Sequence, residues 1–575
     1  MSTTMFDGPA VASTPRLKPG RRVMPKVARD QTRGRLFLAI CAFTMVYGVL
    51  AGRLVYLGLT ETDDVVHYGR AASEIATTRP DIVDRNGEIL ATDINTASLY
   101  AEPRRIIDPD EAAELINSVL PDLKPSELRR KLSGDAGFVW LKREISPAVQ
   151  AAIHRLGIPG IGFLTEKRRF YPGGPAAAHV VGLVNVDNQG IAGIERAVDQ
   201  RGLSDLHGAG FAMGRSDLEP VELSLDLRVQ HVLRDELASA MERYHAVAAT
   251  GVIVNAKTGE VLALASLPDF DPNNPVDANK PDRLNRMTAG TYELGSVFKS
   301  FTFAMAFDSG RVKMDDTFDA RAPIRVGRFT ISDFHGKHRV LSVPEIFLYS
   351  SNIATAKMAL AVGLDNQRGY LERFGLLSKL QTDLPEVATP QLPKKWSDVA
   401  AMTVSFGHGI AITPMQAAMA DVALVNGGIL LPPTFFRRTE KEAMALGTRI
   451  ISPETSDKMR YLFNLNIADP RGSGSRAGVP GYRVGGKTGT AEKVENGRYV
   501  NNKRLNSFLA AFPMDDPNYV VLVTLDEPKP EREGIGATAG LNAAPTVGAI
   551  VRRSAALLGV KPEAPQPGGA LLVSY

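Results

Sequence analysis

A single cysteine among 575 residues removes several kinds of chemistry at once. No intrachain disulfide can form. Thiolate catalysis and cysteine-based metal centres are excluded outside the segment that holds Cys41. The nine histidines show no H-E-x-x-H or similar zinc spacing, so no metal site is expected. There are no internal repeats. Hydrophobic residues at 44% and charged residues at 23% are ordinary for a folded body, and the length suits two or more domains.

An excess of positive charge is also missing from most of the chain. Residues 1–35 hold eight basic side chains against Asp7 and Asp30, a net +6, so the total of +4 leaves −2 for the rest. The basic balance belongs to a tail, and nucleic acid is not expected as a partner. Leu36 to Gly52 carries no charge, Arg53 interrupts, and Leu54 to Leu59 continues apolar. A run of about 20 apolar residues spans a bilayer, and an arginine near its end can snorkel to the headgroups. The expectation is a cytoplasmic basic tail at 1–35 and a single transmembrane helix at 36–59, with the bulk of the chain outside. A cleaved signal peptide fits less well, because the basic region and apolar run are long and no A-x-A site follows.

Residues 60–220 read as a mixed α/β region rich in turns. Asn86-Gly87 between Ile82-Val83 and Ile89-Leu90 signals a hairpin. The charges of Arg168 to Gly174 and Gly190 to Glu195 are read as holding structure together. A second region, 221–560, opens with a helix capped by Asp226 whose apolar positions run from Val229 to Met241. Strand signals lie at both of its ends: Ala248 to Val254 with Val261 to Ala265, and Asn506 to Phe512 with Tyr519 to Leu525. One sheet covered by helices follows from that pattern. Residues 561–575, rich in proline and glycine, are expected to be a mobile tail.

Three short strings carry the chemistry. Ser296-Val-Phe-Lys299 precedes a run that is apolar all round, the mark of a buried helix. Ser296 and Lys299 would share a face one turn apart. A serine hydroxyl needs a neighbouring base, and burial with a second cation nearby would lower the lysine pKa enough to supply one. Ser350-Ser-Asn352 enters a helix at Ala354 to Val362, so Ser350 could relay a proton and Asn352 could hold Lys299 and a substrate amide. Lys487-Thr488-Gly489-Thr490 offers a cation and hydroxyls for a carboxylate. Gly489 would keep the strand open for an added peptide. Each string alone has a bland reading as a cap, a surface lysine or a turn. All three in this order form the S-x-x-K, S-x-N and K-T-G set of serine acyl-transfer enzymes.

With Arg79 to Gly87, Tyr171-Pro-Gly173, Gly190 to Glu195, Asn285-Arg286, Ser405-Phe-Gly-His-Gly-Ile410 with Thr413-Pro414, and Gly485 to Lys493, the chain resembles class B penicillin-binding proteins over about residues 20 to 555. The Ser405 and Gly485 strings look more like the septal branch than the elongation branch. Leu294 departs from the family's usual proline, and Pro80-Asp81 from its usual Gly-x. The resemblance implies an α/β (α+β) architecture: a pedestal domain of the dimerisation type, then a penicillin-recognising serine transpeptidase domain with a central antiparallel sheet covered by helices. It implies Ser296 as nucleophile, Lys299 as base and Ser350 and Asn352 as relay. Lys487, Thr488, Gly489 and Thr490 would bind substrate, and no cofactor would be needed. The implied substrates are stem pentapeptides ending in D-Ala-D-Ala, with β-lactams as inhibitors. A SEDS glycosyltransferase of the FtsW type and other division proteins are the implied partners, at the bacterial inner membrane. Other readings are an elongation-specific transpeptidase, a D,D-carboxypeptidase or β-lactamase-type hydrolase, and a noncatalytic membrane scaffold or β-lactam sensor. No dedicated deacylating carboxylate is evident in the sequence, which weighs against the hydrolase.

Overall fold

A computed structural model of the chain describes residues 37, 40–53, 78–203, 218–327, 329–495, 498–532 and 534–563. The chain divides into two units, 1–72 and 73–575. In the first unit, 40–53 is helical and exposed, including Cys41. Among the described residues no helix is long and apolar enough to cross a membrane. The expected tail at 1–35 and the rest of the expected span, 36, 38–39 and 54–59, lie outside the described residues.

The second unit begins with the expected hairpin. Strand β1 (Ile82–Val83) pairs antiparallel with β2 (Ile89–Ala101). Its turn is held by Asp84, whose carboxylate accepts the N–H groups of Asn86 and Glu88 and, from across the boundary at 220, that of Leu227. Strands β3 (Val139–Ile145) and β4 (Ile161–Phe170) pair with β2. Strand β5 (Val221–Glu222) lies parallel to β1. Helices Pro109–Val119, Pro125–Leu132 and Pro147–Arg155 each start on proline, which loses no helical bond at that position. They close a small core around Leu99, Ile116, Leu128 and Ile153.

At the foot of this region five charged groups are buried or nearly so. Arg79 Nε meets Glu195 Oε2 at 2.8 Å, and Arg169 Nε meets Glu195 Oε1 at 2.6 Å. Arg169 also reaches Asp93 at 3.1 Å, and Arg79 reaches Asp199 at 2.6 Å. Arg169 donates to the carbonyl of Pro80 at 2.8 Å, and Asp81 accepts from Thr92 Oγ1 at 2.8 Å, so the Pro80-Asp81 departure is accommodated.

The rest of the unit is a five-stranded sheet with helices on both faces. Its strands are β6 (Ala248–Asn255), β7 (Val261–Leu267), β8 (Gly485–Glu495), β9 (Arg498–Phe512) and β10 (Tyr519–Asp526). They run in the order β8-β9-β10-β6-β7, antiparallel throughout. The principal helices are α1 (Leu227–Tyr244), α2 (Phe298–Asp308), α3 (Val343–Tyr349), α4 (Asn352–Val362), α5 (Asp398–Val404), α6 (Pro414–Val425), α7 (Pro453–Ala468) and α8 (Ala543–Ser554). Strand side chains alternate between two cores, as a pleat requires. Val521, Val523 and Ile253 face Leu233 and Leu237 of α1 and Ile550 of α8. Val520, Leu522 and Val252 join Phe301 and Phe303 of α2 on the other side. That second core also takes in Ile82, Leu90, Val180 and Ile194, so apolar packing runs across the expected boundary at 220/221. Of the expected tail, Lys561–Glu563 is described. There Glu563 is tied to Gly481 and Arg483, and 564–575 lies outside the described residues.

Breaking a buried ion network leaves charges without partners, which costs about 3–5 kcal/mol. Glu195→Ala is therefore expected to lower the melting temperature sharply in thermal unfolding, whereas Arg168→Ala, at a half-buried position, is expected to be tolerated better. Equal melting temperatures for Glu195→Ala and the parent chain would contradict a structural role for this network.

Candidate active site

Ser296 lies on a 3₁₀ turn, Gly295–Val297, that runs directly into α2. Every side chain of α2 from Phe298 to Phe307 is buried, as apolar residues on all its faces lead one to expect, and Lys299, Ser300 and Thr302 are buried with them. Ser296 itself is half-buried. Two close contacts fix the turn. A Cβ on Gly489 would stand 2.2 Å from the carbonyl oxygen of Leu294, so β8 can approach the turn only with glycine there. On the other side Gly407 (φ +80°) would place a Cβ 2.2 Å from the Gly295 oxygen. Leu294 is buried in the main core, which gives the proline departure a packing role. The Ser405 to Ile410 string thus supports the nucleophile's turn. Thr302 of α2 donates to the Ser405 carbonyl at 2.7 Å, and Tyr292 and Ile412 exchange backbone bonds.

Lys299 is fully buried, and its Nζ reaches the carbonyl of Ser350 at 2.5 Å and Ser350 Oγ at 3.0 Å. Lys487, equally buried, approaches the same Oγ at 3.0 Å. Strings separated by more than 130 residues therefore converge on one hydroxyl. Ser350 caps α3 in the left-handed region (φ 56°, ψ 47°). That conformation costs a non-glycine residue about 1–2 kcal/mol and is kept where the surroundings fix it. Burial lowers the Lys487 pKa to about 7. Burial, then the nearby Lys487 charge, pushes Lys299 well below the usual lysine range, against an opposing pull from Asp333.

Not every expected contact forms. The side-chain amide of Asn352 donates to the Ser332 carbonyl at 3.0 Å, while the hydrogen bonds of Lys299 run to Ser350. Thr488 Oγ1 donates to Ser473 Oγ at 2.7 Å, and Thr490 Oγ1 accepts the Ala539 N–H at 3.1 Å. Thr490 thus keeps its own proton for a ligand. Gly489 serves the close approach of Leu294. Its strand β8 still stands at the sheet edge, so one side of the ladder is unpaired. Sequence reading missed Asp333, which accepts from Ser351 Oγ (2.8 Å) and the Ile353 N–H (2.9 Å) and so fixes the entry to α4. It also missed Asn466, which braces the Gly486 carbonyl and Ser473. No local pattern announces either contact.

Two family models match the chain: the penicillin binding protein transpeptidase domain over 249–552 and the penicillin-binding protein dimerisation domain over 74–215. The chain belongs to the penicillin-binding protein transpeptidase family. It is 38% identical over 541 residues to a protein of Caulobacter vibrioides named probable peptidoglycan D,D-transpeptidase FtsI, covering 92% of this chain and 90% of the relative. Identity is 31% to the probable peptidoglycan D,D-transpeptidase PenA of Neisseria meningitidis (96% and 98% covered). It is 29% to the peptidoglycan D,D-transpeptidase FtsI of Escherichia coli K12 (92% of each). The expected pedestal and transpeptidase domains are thus present as family domains, with the site inside the second.

If Lys299 is the base and Lys487 the anion clamp, the two lysines set opposite pH limbs: deprotonation of Lys299 would free the base, while Lys487, with its pKa at about 7, would lose the charge that attracts an anion as pH rises. Acylation by an anionic penicillin, followed from about pH 5 to about pH 9, is expected to rise and then fall. Lys487→Met should lower the rate by about 10²-fold or more and flatten the alkaline limb. Its melting temperature should change little, because the substitution also removes a desolvated cation. An alkaline limb that survives in Lys487→Met would assign it to another group.

Proposed function

We propose that this D,D-transpeptidase cross-links septal peptidoglycan through an acyl-enzyme on Ser296. One observation carries the reading: Ser350 Oγ lies 3.0 Å from both Lys299 and Lys487 beside the Ser296 turn. Ser296 attacks the carbonyl of the penultimate D-alanine, and neutral Lys299 accepts its proton. Ser350 passes a proton to the departing D-alanine amine. Lys487 regains its charge against the terminal carboxylate, with the Thr490 hydroxyl completing that clamp. Backbone N–H groups of Ser296 and Thr490 stabilise the oxyanion, each worth about 3–4 kcal/mol. An amine from a neighbouring stem then resolves the acyl-enzyme. β-Lactams acylate the same serine.

The N-terminal basic tail and apolar run are proposed to anchor the chain in the inner membrane with the catalytic domain in the periplasm. The pedestal would place it beside a SEDS glycosyltransferase of the FtsW type. The septal assignment is supported by the printed names of the Caulobacter and Escherichia relatives and by the Ser405 and Gly485 strings.

Labelled penicillin is expected to form a slow-clearing adduct that Ser296→Ala abolishes while the fold melts normally. Persistent labelling at another residue would refute the nucleophile. In dividing cells a fluorescent fusion should gather at midcell, and an even distribution along the cell wall would favour an elongation role instead.

A further inference from the structure

Asn466, in the last turn of α7, is fully buried. Its Nδ2 donates to the Gly486 carbonyl at 2.8 Å, and its Oδ1 accepts the Ser473 N–H at 3.1 Å. Each backbone partner permits one role only: a carbonyl accepts and an N–H donates. The amide therefore has one orientation, with its oxygen towards Ser473. Ser473 Oγ also lies 3.1 Å from that oxygen, and Thr488 Oγ1 lies 2.7 Å from Ser473 Oγ. Lys487 Nζ stands 3.5 Å from Thr488 Oγ1 and 3.4 Å from the Thr488 carbonyl.

Proton accounting gives this row a direction. An amide oxygen cannot donate, so the Ser473 proton fills the gap between Ser473 Oγ and Asn466; without it two lone-pair oxygens would face each other there. Ser473 then offers only lone pairs to Thr488, and the Thr488 proton points to Ser473. What Thr488 turns towards Lys487 is a lone pair, and acceptors around an ammonium favour its charged form. With the row reversed, Thr488 would turn its proton towards the lysine and oppose that charge. The other groups facing Lys487 are Ser350 Oγ at 3.0 Å, the Phe347 ring of α3 and the Lys299 charge on α2. Asp469, where the loop leaves α7, is tied to Arg471, which holds its carboxyl at about 2. A brace between α7 and β8 needs only the bond to Gly486. The bonds that run on through Ser473 to Thr488 are what that role leaves unexplained.

We propose that Asn466 is a positioning residue for the anion clamp: it fixes the direction of a hydrogen-bond row running from Lys487 through Thr488 and Ser473 to its own amide oxygen, and so favours the ammonium form of Lys487. The proposal rests on the transpeptidase reading above, in which that ammonium meets a carboxylate.

The test follows acylation of the full chain in detergent from about pH 6 to about pH 9. One probe is benzylpenicillin, which carries a carboxylate, and the other is its methyl ester, which does not. If benzylpenicillin forms no adduct on Ser296, the transpeptidase reading fails and the proposal with it. With that adduct in hand, the alkaline fall in benzylpenicillin acylation reports the loss of the Lys487 charge. Ser473→Ala keeps the bond from Asn466 to Gly486 and breaks the row. It is expected to move the fall to lower pH by about half a unit or more, a loss of about threefold at about pH 8. Thr488→Val removes the lone pair and should move the fall by a similar amount. The double variant should move it no further than the larger single shift, because both substitutions cut one row. Asn466→Leu is expected to give the same shift, and Ser473→Ala keeps the test decisive where that variant fails to fold. The methyl ester should show no such fall in the parent chain or in any variant. A fall left in place in Ser473→Ala overturns the proposal. So do shifts that add in the double variant, or an equal fall with the ester.

Discussion

Two fully buried lysine side chains approach one half-buried serine hydroxyl, and much of the transpeptidase domain serves to hold them there. Removing an ammonium from water costs several kcal/mol even after relaxation. Two such groups converging on Ser350 Oγ would also repel each other if both were charged. The protein meets this with position rather than counter-charge. Lys299 stands on a helix buried all round, Lys487 on a strand packed against α7, and Ser350 in a left-handed cap that aims its hydroxyl between them. The desolvation that makes the arrangement unfavourable is what lowers the lysine pKa values.

Rigid placement depends on backbone meeting backbone. Gly489 lets β8 touch the segment that carries Ser296, and Gly407 lets the supporting loop touch it from the other side. That loop is in turn tied to Gln391 by paired backbone bonds with Ala411, and the strap at 383–391 continues to the pedestal. Asp383 accepts from Arg201, and Glu386 accepts the Gly193 N–H. The buried network around Glu195 therefore begins two residues from a contact that leads, through packed backbone, to the nucleophile's turn. These contacts explain why apolar packing crosses the boundary that the sequence suggested at 220.

Much of this was legible because the chemistry demands particular residue types close together. A serine, a neutralised lysine, a relay hydroxyl and an anion clamp leave recognisable strings, and the β-rich runs at 248–254, 261–265, 506–512 and 519–525 fall in four strands of the central sheet. What failed was pairing across space. Asn352 was expected on Lys299 but bonds Ser332, and Thr488 bonds Ser473, because loop geometry from distant segments offered those partners. Asp333 and Asn466 have no local signature at all.

The contrast between the pedestal and the site shows how buried charge separates structure from chemistry. In the pedestal burial alone would lower the Arg169 pKa, but Glu195 and Asp93 outweigh it and hold the guanidinium charged. Each arginine there meets carboxylates at hydrogen-bond distance, so each buried charge has a partner. In the transpeptidase domain no carboxylate bonds Lys299 or Lys487 among the described residues. Asp333, the acidic group that acts on Lys299, spends its oxygens on Ser351 and Ile353. Equal burial thus has opposite consequences: paired arginines lock a fold, and lysines without a carboxylate partner have their pKa values lowered by desolvation. Under the proposed mechanism a carboxylate against Lys299 would hold it charged and remove the proposed base, so the absence of that ion pair among the described residues accords with the proposed role of Lys299.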